Sequence, residues 1–383
     1  MESRMPELYF DIRDILKVPR LAWSLKKMQV AVRGIAVSWL IYLIITYLSL
    51  LLTETGRSAG IPTLFRYFEF FPYLLPSFGA SWQFILYGAG CILALFNLLS
   101  TVTALARITF EDVRGNDIFQ ASEALRYARV HRSTVVLSVC ILFGISCAGP
   151  ATMIVWGLIG RIPVAGPVLF GISGIPLFFW GLFGIIMCLV GIAGFHLVPA
   201  IAASLGEDVL ETLIQCFSTV FSRPCRLVVY EITAHAVVAA VTIILAAVSI
   251  KAMLGAAFLC GQFFGGSFDE LFTIALYRIP GAVDFTLYTQ GLYDYVPVLH
   301  PPYLTPTAST CLSVRIAGWL TGLGGLFVLL WVFSYGLGCF SASQLLTYLG
   351  IRKHRDGVDL RLKRDTSYFV PETPPEMNDT QVS

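Results

Sequence analysis

The chain is 383 residues long, 56% hydrophobic and only 13% charged, with a formal net charge of +2 and a mean hydropathy of +0.76. Soluble proteins average about 45–50% apolar and about 25% charged residues, so most of this chain is built for hydrocarbon rather than water. The small, dispersed net charge argues against nucleic-acid binding, and the lack of G-x-x-x-x-G-K-[ST], H-E-x-x-H and G-x-S-x-G motifs argues against an ATPase, a zincin protease and a standard serine hydrolase.

Residues 1–33 mix charge with apolar positions Leu8, Ile12, Ile15 and Leu16, then run into Pro19-Arg20-Leu21-Ala22-Trp23-Ser24-Leu25-Lys26-Lys27. This predicts an amphipathic helix on the inner membrane surface, anchored by Trp23 and by lysines whose stems lie along apolar surface. A hydrocarbon layer about 30 Å thick needs roughly 20 apolar residues per helix. Six stretches meet that length, at about 34–53, 82–106, 134–160, 175–205, 227–260 and 314–346. They predict an all-α integral membrane protein with six transmembrane helices, the first retained because no small-residue cleavage site follows it.

The segments between the spans have distinct characters. The 53–81 loop is rich in Phe and Tyr (Phe65, Tyr67, Phe68, Phe70, Phe71, Tyr73, Phe78), which predicts a position at the outer headgroup level. Residues 109–133 and the segment from Gly206 onward read as short amphipathic connectors, capped by Asp117 and Asp208. The 117–132 and 208–223 stretches share an Asp-to-Arg spacing, offset by 91 residues. A helix–connector–helix unit used twice would explain it, and so would coincidence. Gly149-Pro150 should kink the third span, and the Pro- and Gly-broken run 161–176 reads as a tight outer loop or a re-entrant dip. The 261–312 loop is the one sizeable soluble-facing piece, with Ser267-Phe268-Asp269-Glu270 fitting a capping box. Residues 351–383 begin basic, at Arg352, Lys353 and Arg355, which suits anionic lipid headgroups, and end in a Pro- and Glu-rich tail expected to be disordered.

Charge sets the expected orientation. Of 26 Lys and Arg, seven lie in 4–33, five in 107–132, two at Arg223 and Arg226, and six in 352–364. Basic residues stay on the cytoplasmic side, so both termini and both connectors are expected there.

Ionisable and amide side chains inside the spans are costly, and so are functional candidates. Glu231 and His235 are four apart and share a helical face. His196, near the inner end of the fourth span, and Asn97, near that of the second, fall at a similar depth. A cluster of Asn97, His196, Glu231 and His235 can bind a metal or relay protons, since imidazole titrates near neutrality. It can equally be a set of interhelical hydrogen bonds, or Glu231 can pair with Arg226. Among nine cysteines, Cys260 and Cys311 bracket the large outer loop and can close it as a disulfide in an oxidising compartment; the alternative is two unpaired thiols. Gly318-x-x-x-Gly322, with Gly324 and Gly325, allows close helix approach, within the bundle or between copies. No motif assigns a catalytic residue, a cofactor or a metal centre.

The Pro19-to-Lys27 string, the 208–223 connector followed by Pro224 and Tyr230, and Asp356-Gly357 after the last span give a resemblance. The chain resembles a group of uncharacterised bacterial multipass inner-membrane proteins, departing from them at Trp23 and Cys225. The resemblance implies a bacterial cytoplasmic membrane and transfers no reaction, ligand or catalytic residue. The first functional expectation is a non-enzymatic scaffold or accessory component, with a protein partner at the connectors. A transporter or channel subunit and an intramembrane metal- or lipid-dependent enzyme are the alternatives. Oligomeric state is not encoded legibly.

Overall fold

The computed structural model describes residues 8–68, 70–74, 81–116, 118–264, 270–271, 274–275 and 311–362. Among these there is no β-strand. In chain order the helices are α1 (Ile12–Ile15), α2 (Val18–Ala22), α3 (Leu25–Leu51), α4 (Glu54–Phe68), α5 (Ser81–Val113), α6 (Ala121–Val130), α7 (Arg132–Ile159), α8 (Ala165–Ile172), α9 (Gly174–Leu205), α10 (Val209–Ser222), α11 (Pro224–Phe264) and α12 (Leu312–Asp356). Six of them, α3, α5, α7, α9, α11 and α12, are long and apolar enough to cross a membrane. The chain is an all-α multipass membrane protein.

These helices outrun the apolar stretches that announce them. α12 has 45 residues, or about 68 Å at 1.5 Å per residue, more than twice the hydrocarbon thickness. The surplus is not free in solvent. The last turns of α5 and α9 and the second half of α12 are almost continuously buried, against one another and against α1, α2, α6 and α10. α3 pairs with α5, α7 with α9 and α11 with α12, while α12 also touches α3, α5 and α9.

Small residues set the closest approaches. A Cβ at Gly149 would lie 2.7 Å from the Gly184 Cα, so α7 and α9 cross there nearly backbone to backbone. A Cβ at Gly336 would lie 2.9 Å from Thr242 Oγ1, which brings α11 against α12. Gly318 sits against Ile274 of the same chain, so this glycine packs intramolecularly.

Charges cluster at the end of the bundle where the first described residues meet the end of α12. His354 Nε2 lies 3.1 Å from the Phe10 carbonyl oxygen, and the Tyr335 hydroxyl donates to the Pro19 carbonyl at 2.9 Å. Lys27, fully buried, pairs with Asp112 at 2.8 Å and donates to the Leu21 carbonyl at 2.5 Å. Arg107 pairs with Glu111 at 2.6 Å and donates to the Ala203 carbonyl at 3.1 Å. Tyr127 donates to the neighbouring Ala202 carbonyl at 2.7 Å, with the Arg107 guanidinium 4.6 Å above its ring. Both bonds reach carbonyls in the last turn of α9, where the Ala202 oxygen also accepts the Gly206 N–H at 3.1 Å.

Several expectations change. Residues 8–24 form two short helices tucked under the bundle, with Ile15, Val18 and Ala22 buried, instead of one surface-lying helix. Trp23 is 62% exposed and stands edge-on to Tyr335. The first connector helix begins at Ala121, closed by a Gln120/Glu123 capping box, and Asp117 lies outside the described residues. Asp208 holds the N-cap position of α10 without a side-chain cap bond. The 161–176 run contains a helix, α8, whose apolar residues Val168, Leu169 and Phe170 are exposed. The aromatic loop folds over the far end: α4 breaks at Gly60 (φ 73°) before Pro62, and Trp39 Nε1 donates to the Phe70 carbonyl. Ser267 to Asp269 and the tail beyond residue 362 also lie outside the described residues.

Lys27→Met strands Asp112 and should destabilise the bundle by about 3 kcal/mol, whereas Lys27→Met with Asp112→Leu should recover most of that loss. Reversible unfolding in mixed micelles measures both; equal losses in single and double variants would mean the pair is not what holds α3 to α5.

Candidate functional site

Three of the four sequence candidates converge. His196 comes from α9 and Glu231 and His235 from successive turns of α11, and their ligand-capable atoms all lie within 4.8 Å of one another. Glu231 Oε2 is 3.5 Å from His235 Nδ1 and 4.0 Å from His196 Nδ1. The two imidazole rings lie 4.9 Å apart, and both meet the Phe340 ring of α12 edge-on. Arg226, the alternative partner for Glu231, lies beside the Tyr230 ring instead, 5.8 Å from its centre.

Asn97 does not join them. Its amide donates to the Gly34 carbonyl at 3.2 Å and to Ser38 Oγ at 2.9 Å. The reason is helical phase: equal depth does not imply a shared face, and Asn97 sits on the side of α5 that meets α3.

A residue not anticipated from sequence completes the group. Gln344 of α12 donates from Nε2 to Glu231 Oε2 at 3.0 Å, holding the carboxylate in one orientation. This leaves Glu231 Oε1 and Gln344 Oε1 buried with no hydrogen-bond partner. A buried polar atom left unsatisfied costs about 1–3 kcal/mol, so two on directly bonded residues form a notable reserve of unmet valence. His235 Nδ1 lies 2.7 Å from the Glu231 carbonyl oxygen. Because that oxygen can only accept, Nδ1 carries the proton and Nε2 presents the lone pair. The signal that could have revealed Gln344 is an amide in an otherwise apolar and small-residue stretch. Its face, however, is set by how α12 rotates against α11 at Gly336.

His235 also lines an open groove of about 1010 Å³ between α3, α5, α11 and α12. Ile35, Trp39, Leu95, Val238, Ile243 and Phe333 form much of its wall. Such a wall suits a hydrocarbon chain better than a hydrated ion path. Along this groove the polar group is reached from an apolar side.

The chain matches no protein-family model, no curated protein and no solved structure.

Cys260 and Cys311, the candidate disulfide pair, are both free and exposed. Most of the loop between them lies outside the described residues, and nothing described draws the two thiols together. Cys311 Sγ instead accepts a hydrogen bond from Ser313, which holds its thiol below the usual cysteine pKa. Cys216, buried against α9, is pushed up to about 12 by loss of hydration. Denatured, unreduced protein should therefore take up nine maleimide-polyethylene glycol adducts, one per cysteine. Seven adducts rising to nine after reduction would establish a disulfide.

Proposed function

We propose that the protein is a scaffold or accessory component of a bacterial cytoplasmic membrane, inserted with both termini inside, whose charged end meets lipid headgroups and a cytoplasmic partner. The bacterial membrane comes from the family resemblance, and the orientation from the basic blocks, which gather at the end where the two terminal segments meet.

The observation that carries this reading is the way α10 is mounted. Thr212, Cys216 and Thr219 are buried against the bundle, while Leu210, Ile214 and Phe221 are exposed. Arg355, at the end of α12, grips the polar edge of α10 through Gln215 Oε1 at 2.8 Å and Ser218 Oγ at 2.7 Å. A helix held rigidly with an apolar row outward suits the boundary between headgroups and acyl chains, or a docked protein. The charged end is stitched by buried ion pairs, a construction suited to holding a shape. A transport role is less well supported, because the open groove beside the polar group has apolar walls.

Two measurements test this. Native cysteines report sidedness: Cys225 begins α11 and Cys260 ends it, about 52 Å apart along the helix. A membrane-impermeant maleimide should reach Cys260 and Cys311 from outside intact cells and Cys225 only after the inner face is opened; the reverse pattern overturns the orientation. A photo-crosslinking residue at position 210 or 214 should capture lipid or one reproducible protein, and Glu at the other of these two positions together with Phe221→Glu should abolish that capture. Because both side chains are exposed, this double change should alter stability by no more than about 0.5 kcal/mol per site. Products at neither position would remove the docking role.

A further inference from the structure

We propose that His196, Glu231 and His235 bind one divalent transition-metal ion of the zinc class, with a fourth coordination position turned toward the apolar groove. Two imidazoles and a carboxylate are a donor set that suits zinc and its neighbours rather than magnesium or calcium, which prefer all-oxygen shells. A tetrahedral ion with bonds of roughly 2.0–2.1 Å holds its ligand atoms about 3.4 Å apart. The three side chains already offer ligand atoms within 4.8 Å of one another, so a closure of about 1.4 Å or less by side-chain rotation completes the shell.

The surroundings are those of a metal site's outer shell. Metal-bound histidines donate their second ring nitrogen to a carbonyl or carboxylate, which fixes the tautomer. His235 Nδ1 meets the Glu231 carbonyl oxygen in that way, at 2.7 Å, and leaves Nε2 for an ion. Gln344 Nε2 steadies Glu231 Oε2, the oxygen that faces both histidines, at 3.0 Å, while Glu231 Oε1 is buried and unpartnered. Gln344 Oε1, likewise unpartnered, lies on the residue bonded to that carboxylate. A set of interhelical hydrogen bonds explains the contacts but not these two orphaned acceptors. A cation held by the Glu231 carboxylate supplies that group with the partner it lacks. His235, part of the groove wall, places the remaining coordination position where water or the polar head of an amphiphile can enter.

The test uses the full chain, purified in detergent on a tag without histidine, stripped by chelator and titrated with Co²⁺ and with Zn²⁺. Wild type should bind one equivalent, and bound Co²⁺ should show a visible d–d spectrum of tetrahedral intensity without a thiolate charge-transfer band. Glu231→Gln, His196→Gln and His235→Gln should each weaken binding by ~tenfold or more, while His131→Gln and His354→Gln leave it unchanged. Zn²⁺ should raise the unfolding midpoint of wild type and not that of Glu231→Gln. Substoichiometric binding to wild type, a thiolate band, or unchanged affinity in the three site variants would each overturn the proposal. The first two outcomes are read on wild type alone and do not depend on any variant folding.

Discussion

The structure depends on Arg107. A guanidinium in the interior of a membrane protein must have its charge balanced, because stripping it of water costs several kcal/mol before any partner is found. Arg107 meets Glu111 on its own helix, the Ala203 carbonyl at the end of α9 and the ring of Tyr127 on α6. One side chain thus ties the second span, the first connector and the fourth span together. Tyr127 adds its own bond to Ala202, and a Cβ at Gly206, the left-handed residue (φ 66°) that closes α9, would sit 2.9 Å from the Tyr127 hydroxyl.

With α9 pinned by its last turn, His196 is held nine residues back along a helix whose phase and height are set. α11 and α12 supply the other half of the site, meeting at Gly336 against Thr242, with Phe340 and Gln344 one and two turns further along α12. The polar group therefore stands on three helices, each fixed at the charged end. The far halves of the same helices are largely exposed to the surroundings, as spans facing lipid are. Rigidity is concentrated at one end, where the ion pairs are, and the candidate site lies next to it.

Sequence reasoning recovered the spans because a bilayer imposes a length and a composition that one stretch satisfies alone. It also recovered the pairing of Glu231 with His235, which needs only the helical repeat. It anticipated that His196 would lie at the depth of His235 by counting from the span ends, and the two rings do meet. The same counting misplaced Asn97, since depth is read from one dimension and the facing direction is not. Charge counting puts Arg107 in the basic block 107–132 and says nothing of its burial, and it is 2% exposed. Its partners, Glu111 four residues on and a carbonyl 96 residues away, show why: the first is legible locally, the second only after α9 is packed.

What the sequence determined by itself is the solvent and the number of spans, both consequences of local composition against a hydrocarbon layer of fixed thickness. What only the tertiary structure decided is which faces meet. The convergence of His196 with Glu231, the arrival of Gln344, the separation of Asn97 and the burial of Lys27 and Arg107 depend on how α9, α11 and α12 rotate about their own axes. That rotation is set by close contacts at Gly149, Gly184 and Gly336 and by ion pairs at the charged end. Such contacts join residues tens to hundreds of positions apart, so no local pattern carries them.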